Sequence, residues 1–146
     1  MISICRWLGL LTALLVLSAP GAAAADLTVT DANGVTTIVK SAVIDYDQDN
    51  GSLAPFRLNR NTESEGIRIF AGQGSVTVRW TLIRRLRILG EDEATGRLKG
   101  ELLLTNGMTR PVDLREDGER GLTGDTDLGR FSIPLRDLRL IVPGGQ

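Results

Sequence analysis

Apolar and polar residues alternate along most of the chain after residue 26, a pattern typical of strands that bury one face. Leu27 and Val29 alternate with threonines, and the same two-residue period returns in residues 67–70 and 76–80. No window of about ten or more residues has the period of an amphipathic helix. The pattern therefore predicts an all-β chain.

Glycine-containing turns divide the predicted strands into hairpins. Asn33-Gly34 follows the first strand pattern, and Asn106-Gly107 separates two apolar stretches. Asn and Gly adopt the positive φ angles that tight hairpin turns need. Gly72-Gln73-Gly74 separates a further pair of strand patterns. We expect three antiparallel hairpins.

An internal repeat is the most informative feature of the sequence. Counted from Gly74 and from Gly129, apolar residues recur at identical offsets, first every second residue and then every third. A spacing of two predicts a strand with one buried face, and a spacing of three indicates a single tight turn of 3₁₀ type. The first copy contains Val76, Val78, Trp80, Ile83 and Leu86, and the second contains Phe131, Ile133, Leu135, Leu138 and Ile141.

Each repeat therefore predicts a strand, a one-turn corner and a second strand. Because such corners turn a chain from one sheet direction to another, we expect a small antiparallel β-sandwich or partly open β-barrel built from strand-corner-strand units. A weaker third copy starts at Gly34, and the successive starts lie roughly 40 and 55 residues apart, within the range of repeat architectures. The corresponding offsets in this third copy hold Thr36, Ile38, Lys40, Val43 and Tyr46.

The first 25 residues have the three parts of a secretory signal peptide. Arg6 supplies the positive charge, a Leu-rich apolar run follows, and Ala23-x-Ala25 satisfies the small-residue rule for cleavage. The apolar run is shorter than the roughly 20 residues that span a bilayer. We expect cleavage after Ala25, one β domain over residues 26–142 and a flexible tail over residues 143–146, with no stable membrane insertion.

The residue types present after export exclude several chemistries. The chain has no histidine, and its one cysteine, Cys5, lies in the predicted signal peptide. A Ser-His-Asp triad, a thiolate nucleophile and a Cys/His metal site are therefore excluded from the exported domain. We expect a protein that is not an enzyme. The chemistry left open is hydrolysis by two carboxylates.

Charge and cysteine content limit the cellular compartment and the kinds of binding partner that we expect. The net charge of −1 gives no overall field that would attract nucleic acid. A cysteine-free, arginine-rich and lysine-poor exported domain favours a bacterial periplasm, because exported eukaryotic domains of this size usually carry disulfides. We expect a periplasmic or extracellular protein that does not bind nucleic acid.

A group of arginines is the first candidate contact surface. It consists of Arg79, Arg84, Arg85 and Arg87, and Arg139 matches Arg84 in the second repeat. In a strand, Arg85 and Arg87 share one face. Such a patch binds carboxylate or phosphate through bidentate contacts, and the alternative is a solvated face that protects a sheet edge. The predicted partners are an envelope protein or an acidic ligand.

Alternating carboxylates are the second candidate, a metal site formed by Asp45, Asp47 and Asp49. This stretch resembles the opening of a calcium loop. Asn50 stands where an EF-hand needs glycine, and Phe56 stands where it needs glutamate, so the EF-hand is excluded and a looser calcium site stays open. The alternative is an acidic turn at a strand end. No other cofactor is expected.

Together these features predict a non-catalytic exported β domain that acts as an interaction or ligand-binding module. Two alternatives follow from the carboxylates: a calcium-stabilised structural domain of the envelope, and a small carboxylate-dependent hydrolase. The glycine-rich stretch over residues 118–129 does not match a phosphate-binding loop, because no Gly-Lys-Ser/Thr sequence follows it.

Overall fold

A computed structural model describes residues 24–46, 62–63, 65–114 and 120–144. Most of the predicted signal peptide and residues 145–146 of the predicted tail lie outside this part of the chain. Ala25, after which we expect cleavage, is the first residue of a strand, so cleavage there would leave the paired segment from Leu27 onward intact.

The described residues form eleven strands and two single-turn 3₁₀ helices. The 3₁₀ helices are η1 (Trp80–Leu82) and η2 (Leu135–Asp137). The strands are β1 (Ala25–Asp31), β2 (Thr36–Tyr46), β3 (Thr62–Glu63), β4 (Gly66–Ala71), β5 (Gly74–Arg79), β6 (Ile83–Glu91), β7 (Leu98–Leu104), β8 (Thr109–Leu114), β9 (Arg120–Thr126), β10 (Gly129–Pro134) and β11 (Leu138–Pro143).

Ten of these strands form one antiparallel sheet in the order β10-β9-β2-β1-β11-β6-β7-β8-β4-β5, and β3 pairs with β2 off this path. The sheet curls strongly into a half-barrel and encloses the apolar core on its inner face. The prediction of an all-β fold is confirmed, and of the two predicted forms the structure is the partly open barrel.

Both strand-corner-strand units of the stronger repeat are present. Strand β5 leads through η1 into β6, and β10 leads through η2 into β11. Each corner begins with a buried apolar residue, Trp80 in η1 and Leu135 in η2. In each, the backbone N–H of the residue after the corner donates to the carbonyl of that first residue. The corners are thus fixed by burial of one large side chain and one tight backbone hydrogen bond.

The two repeats meet at the centre of the sheet. Strands β6 and β11 pair antiparallel, with Leu86 opposite Ile141, and these two residues occupy the same position in their respective repeats. Pairing of equivalent residues in antiparallel strands creates an approximate two-fold axis through that pair. The axis relates a first unit, ordered β6-β7-β8-β4-β5, to a second unit, ordered β11-β1-β2-β9-β10.

The equivalence extends to the hairpin turns, although the second unit is built from both ends of the chain. Thr105 N–H donates to the carbonyl of Leu82 at 3.0 Å, and Ala32 N–H donates to the carbonyl of Asp137 at 2.8 Å. The turn glycines Gly107 and Gly34 have φ angles of 86° and 81°. The second unit is therefore a circularly permuted copy of the first in its strand order and turn contacts.

The predicted third copy at Gly34 is wrong. Strand β2 runs from Thr36 to Tyr46 without a corner, and Ile38 is 62% exposed. The reason is Lys40, which stands where the true repeats bury Trp80 and Leu135, because a lysine does not anchor a corner in the core. The pairing of β2 with β1 and β9 is instead interrupted by a register shift, near which Ser41 has a φ of 50°.

The core contains the residues that the repeat predicts to be buried. Ile83 and Leu138 are fully buried, and Val78 and Ile133 are partly buried against them. The indole N–H of Trp80 is buried without an acceptor among the described residues, which costs about 1–3 kcal/mol against the gain from burying the ring. The apolar inner face is the main source of stability of this fold.

A methyl group at Gly66 is expected to destabilise the β4–β5 hairpin. Gly66 lies opposite Arg79, and a Cβ there would overlap the backbone carbonyl of Val78, which has little freedom to move. Gly66→Ala should lower the free energy of unfolding by about 2 kcal/mol or more. Urea denaturation measures this value.

Gly74→Ala is the matched control for that substitution. Its nearest atom, the carbonyl oxygen of Ala71, would lie 3.7 Å from the new Cβ. We expect a change within about 0.5 kcal/mol. Equal losses from Gly66→Ala and Gly74→Ala would contradict the close approach of β4 and β5.

Candidate functional site

The predicted arginines Arg85 and Arg87 lie on the outer face of the sheet, in β6. Arg87 is opposite Leu140 of β11 and Glu101 of β7, and Arg85 is opposite Leu103. Arg87 is exposed and Arg85 is half-buried. These two arginines share one local surface, as the alternation predicts.

The other predicted arginines lie elsewhere. Arg84 and Arg139 are the extra residues at two equivalent bulges, one where β6 pairs with β7 and one where β11 pairs with β1. Arg84 comes two residues before Leu86, and Arg139 comes two residues before Ile141. Because β6 and β11 are antiparallel, these steps lead in opposite directions from the Leu86–Ile141 pair, so the two arginines lie about 13 Å apart along the strands. Arg79 lies on the outermost strand β5. The role of these five arginines in ligand contact stays a prediction.

Arg139 is engaged within its own corner. Its guanidinium donates to the backbone carbonyls of Arg136 and Leu138, at 3.0 Å each. These bonds join the guanidinium to the backbone where η2 ends and β11 begins. Arg139 therefore has a structural task.

The predicted calcium ligands lie mostly outside the described residues. Asp47 and Asp49 fall in this category, and the described backbone of Asp45 lies one residue before the end of β2, opposite Gly121. Within the described ranges, no group of three or more acidic side chains is placed to hold a metal ion. Calcium binding stays a hypothesis.

An apolar pocket of about 380 Å³ opens on the inner face of the first unit. Its floor is formed by Leu102 of β7 and Val112 of β8, both buried. Its other apolar walls come from β4, β5 and η1, so three separate parts of the unit meet around it. The described lining residues are Ile69, Phe70, Val78, Leu82, Leu102, Leu104, Thr105, Asn106, Arg110, Pro111 and Val112.

The corner and the β7–β8 turn hold one end of the pocket together. The Thr105 N–H···O bond to Leu82 fixes η1 against the turn. Asn106 shapes the turn, since its side-chain oxygen accepts the backbone N–H of Met108 at 3.0 Å. Leu82 is left 52% exposed at the rim. A backbone contact between corner and turn therefore positions an apolar side chain at the pocket mouth.

The equivalent place in the second unit differs in its residues. Asp137 replaces Leu82, and Asp31 replaces Leu104. The Asp31 carboxylate accepts the backbone N–H groups of Asn33 and Val35, at 2.8 and 2.9 Å. The position of Ile69 is taken by Gly124, where a Cβ would overlap Val39. The second unit thus packs β9 closely on β2 where the first has an apolar pocket.

Arg110 is the one charged residue in the described part of the pocket lining. It is exposed and lies opposite Leu102 in the β7–β8 ladder, so both residues belong to the inner face. Arg110 forms no ion pair with any described residue. Among the described residues, the pocket therefore offers apolar walls and one positive charge without an acidic partner.

The acidic residue nearest to Arg110 along β8, Asp113, is held on the outer face. Its carboxylate accepts from Lys99 Nζ at 2.7 Å and lies 3.5 Å from Arg97 Nη1. The guanidinium of Arg97 also covers the ring of Phe70, with 4.8 Å between its carbon and the ring centroid. These contacts direct Asp113 away from the pocket, so it does not neutralise Arg110.

The pocket residues Leu82, Leu104 and Arg110 were not singled out by the sequence patterns. The signal that distinguishes them is a difference between the repeats, apolar Leu82 against acidic Asp137 at the same corner position. Comparing the residue types at each matched position of the two copies, and not only the spacing that they share, identifies this position.

Fold and pocket together define a half-barrel domain with an open apolar cavity between described strands of its first unit, and the comparisons add no relative. No family model, curated protein or solved structure matches the chain. None of the described segments is a helix long and apolar enough to cross a membrane.

Neutralising Asp113 is expected to weaken the folded state at neutral pH. The hydrogen bond from Lys99 lowers the pKa of Asp113, and Asp113 in turn raises the pKa of Lys99. A carboxyl whose pKa is lower in the folded than in the unfolded state stabilises the fold above its ordinary pKa, and this contribution is lost as the pH falls through the lowered value. Asp113→Asn should therefore reduce the urea midpoint at neutral pH.

The same substitution should have a smaller effect in strong acid, where Asp113 is protonated in the unmodified protein. Asp125→Asn is the control, because exposed Asp125 forms no ion pair with a described residue. An equal effect of Asp113→Asn at both pH values would contradict the ionic contribution.

Proposed function

We propose that this chain is a non-catalytic binding module of the bacterial periplasm and that its ligand places an apolar group in the inner-face pocket. The observation that carries the proposal is the open apolar pocket, which β4, β5, η1, β7 and β8 of the first unit build together. Export is supported by the signal-peptide pattern of the first 25 residues.

The pocket has the properties of a small-molecule site rather than of a packing defect. Its volume lies within the roughly 300–1,000 Å³ range of ligand pockets, and it is open to solvent at Leu82. Covering exposed apolar surface gains about 25 cal/mol per Å². A ligand that fills the pocket would therefore bury side chains that the fold itself leaves exposed.

The pocket favours binding over the hydrolase alternative. Hydrolysis by two carboxylates needs a pair of acids flanking the substrate, and the lining contains no Asp or Glu among its described residues. The calcium alternative depends on Asp47 and Asp49, which lie outside the described part of the chain, so it receives no support from the geometry.

A neutral apolar dye should bind in the pocket of the unmodified protein. N-phenylnaphthylamine gains fluorescence in apolar surroundings and carries no charge to interact with Arg110. We expect Leu82→Asp to weaken its binding about fivefold or more, because a carboxylate at the rim must lose water when the dye enters. Because Leu82 is half exposed and its counterpart is Asp137, the fold should accept this change.

Asp137→Leu is the matched control, since it exchanges the equivalent residue of the other unit. Its dye affinity should equal that of the unmodified protein, and circular dichroism should show unchanged strand content in both variants. Absence of dye binding to the unmodified protein, or equal binding by folded Leu82→Asp, would reject the pocket as the site.

A further inference from the structure

We infer that the ligand of the inner-face pocket is a medium-chain aliphatic carboxylate whose anionic group pairs with Arg110. This inference rests on the proposed function and adds the chemistry of the ligand. It follows from three properties of the pocket: the sign and number of its charges, the position of Arg110, and the shape and polarity of the walls.

The charge of the pocket selects a monoanion. Arg110 is the only cation among the described lining residues, and the neighbouring cations Lys99 and Arg97 are held by Asp113 on the outer face. One planar guanidinium matches one carboxylate in a bidentate pair. A phosphate, with a charge near −2 at neutral pH, would be only partly neutralised by a single arginine.

The position of Arg110 suits a head group at the pocket mouth. Arg110 stands opposite buried Leu102, two residues before Val112 on the same face of β8. An arginine in such a place lays its aliphatic stem on apolar surface and keeps its charged end in water. A ligand anion would thus stay partly hydrated, while its chain enters among the apolar walls.

The walls select an aliphatic chain of moderate size. The apolar lining comes from Ile69, Val78, Leu82, Leu102 and Leu104, with Val112 at the floor. A volume of about 380 Å³ is near the lower end of the range for ligand sites. Long diacyl lipids and large ring systems exceed this space, and a medium-length chain suits it.

The test compares octanoate with octan-1-ol, octylammonium and octyl phosphate by displacement of the neutral dye. The four probes share one chain and differ in the head group. We expect octanoate to bind most tightly and octylammonium most weakly. Added salt should weaken octanoate binding and leave octan-1-ol unchanged, because only the anion interacts with Arg110.

Arg110→Gln separates the charge from the cavity. It should weaken octanoate binding about three- to tenfold, as expected for a solvent-exposed pair with an ionised partner, and weaken octan-1-ol and the dye much less, because neither carries a charge. Arg130→Gln, which removes an exposed arginine from the opposite edge strand β10, is the matched control and should change neither.

The outcomes distinguish failure of this inference from failure of the proposed function. Equal affinity for octanoate and octan-1-ol, or equal loss of both in Arg110→Gln, would overturn the carboxylate while the pocket remains a binding site. Tighter binding of octyl phosphate would replace the carboxylate with a phosphate. Dye binding that octanoate does not displace would overturn the aliphatic ligand, whereas absence of dye binding would overturn the proposed function itself.

Discussion

The antiparallel pairing of β6 with β11 joins two five-stranded units, and the continuity of the sheet depends on it. Leu86 and Ile141 face each other there and are both fully buried. The chain enters β6 and β11 through the two corners, so burial of Trp80 and Leu135 sets the direction from which each central strand arrives. A change that weakens either corner would therefore act on the centre of the sheet, although the corner itself lies away from it.

Two units with equivalent strand order and turn contacts need not have the same role. In the second unit, Gly124 lets β9 approach Val39 closely, and Asp31 uses its carboxylate to hold backbone N–H groups of its own turn. In the first unit, Ile69 and Leu104 stand at these positions and line a cavity. The close approach of β9 to β2 thus lies at the position where the first unit has apolar side chains around a cavity.

Features that depend on the local spacing of residues could be predicted from the sequence. Features that depend on which strands lie next to one another could not. The two corners follow from offsets that place Trp80 and Leu135 at the change of period, and both were predicted. The third copy failed because shared spacing does not ensure burial when Lys40 occupies the corner position. The pocket was missed because Ile69 and Leu102 lie on strands that do not pair with each other, and no spacing along the chain shows that β4, η1 and β7 surround one space.

The corner residues give the strongest reason to connect the pocket with function. The η2 corner with Asp137 and the η1 corner with Leu82 form the same backbone bond to their neighbouring turns, at 2.8 and 3.0 Å. The fold therefore does not require leucine at this position, and a half-exposed leucine gains less from burial than a core residue while adding apolar surface to the exterior. Leu82 therefore adds apolar surface at the mouth of a pocket that Arg110 also lines, and this arrangement supports the proposal that a ligand binds there.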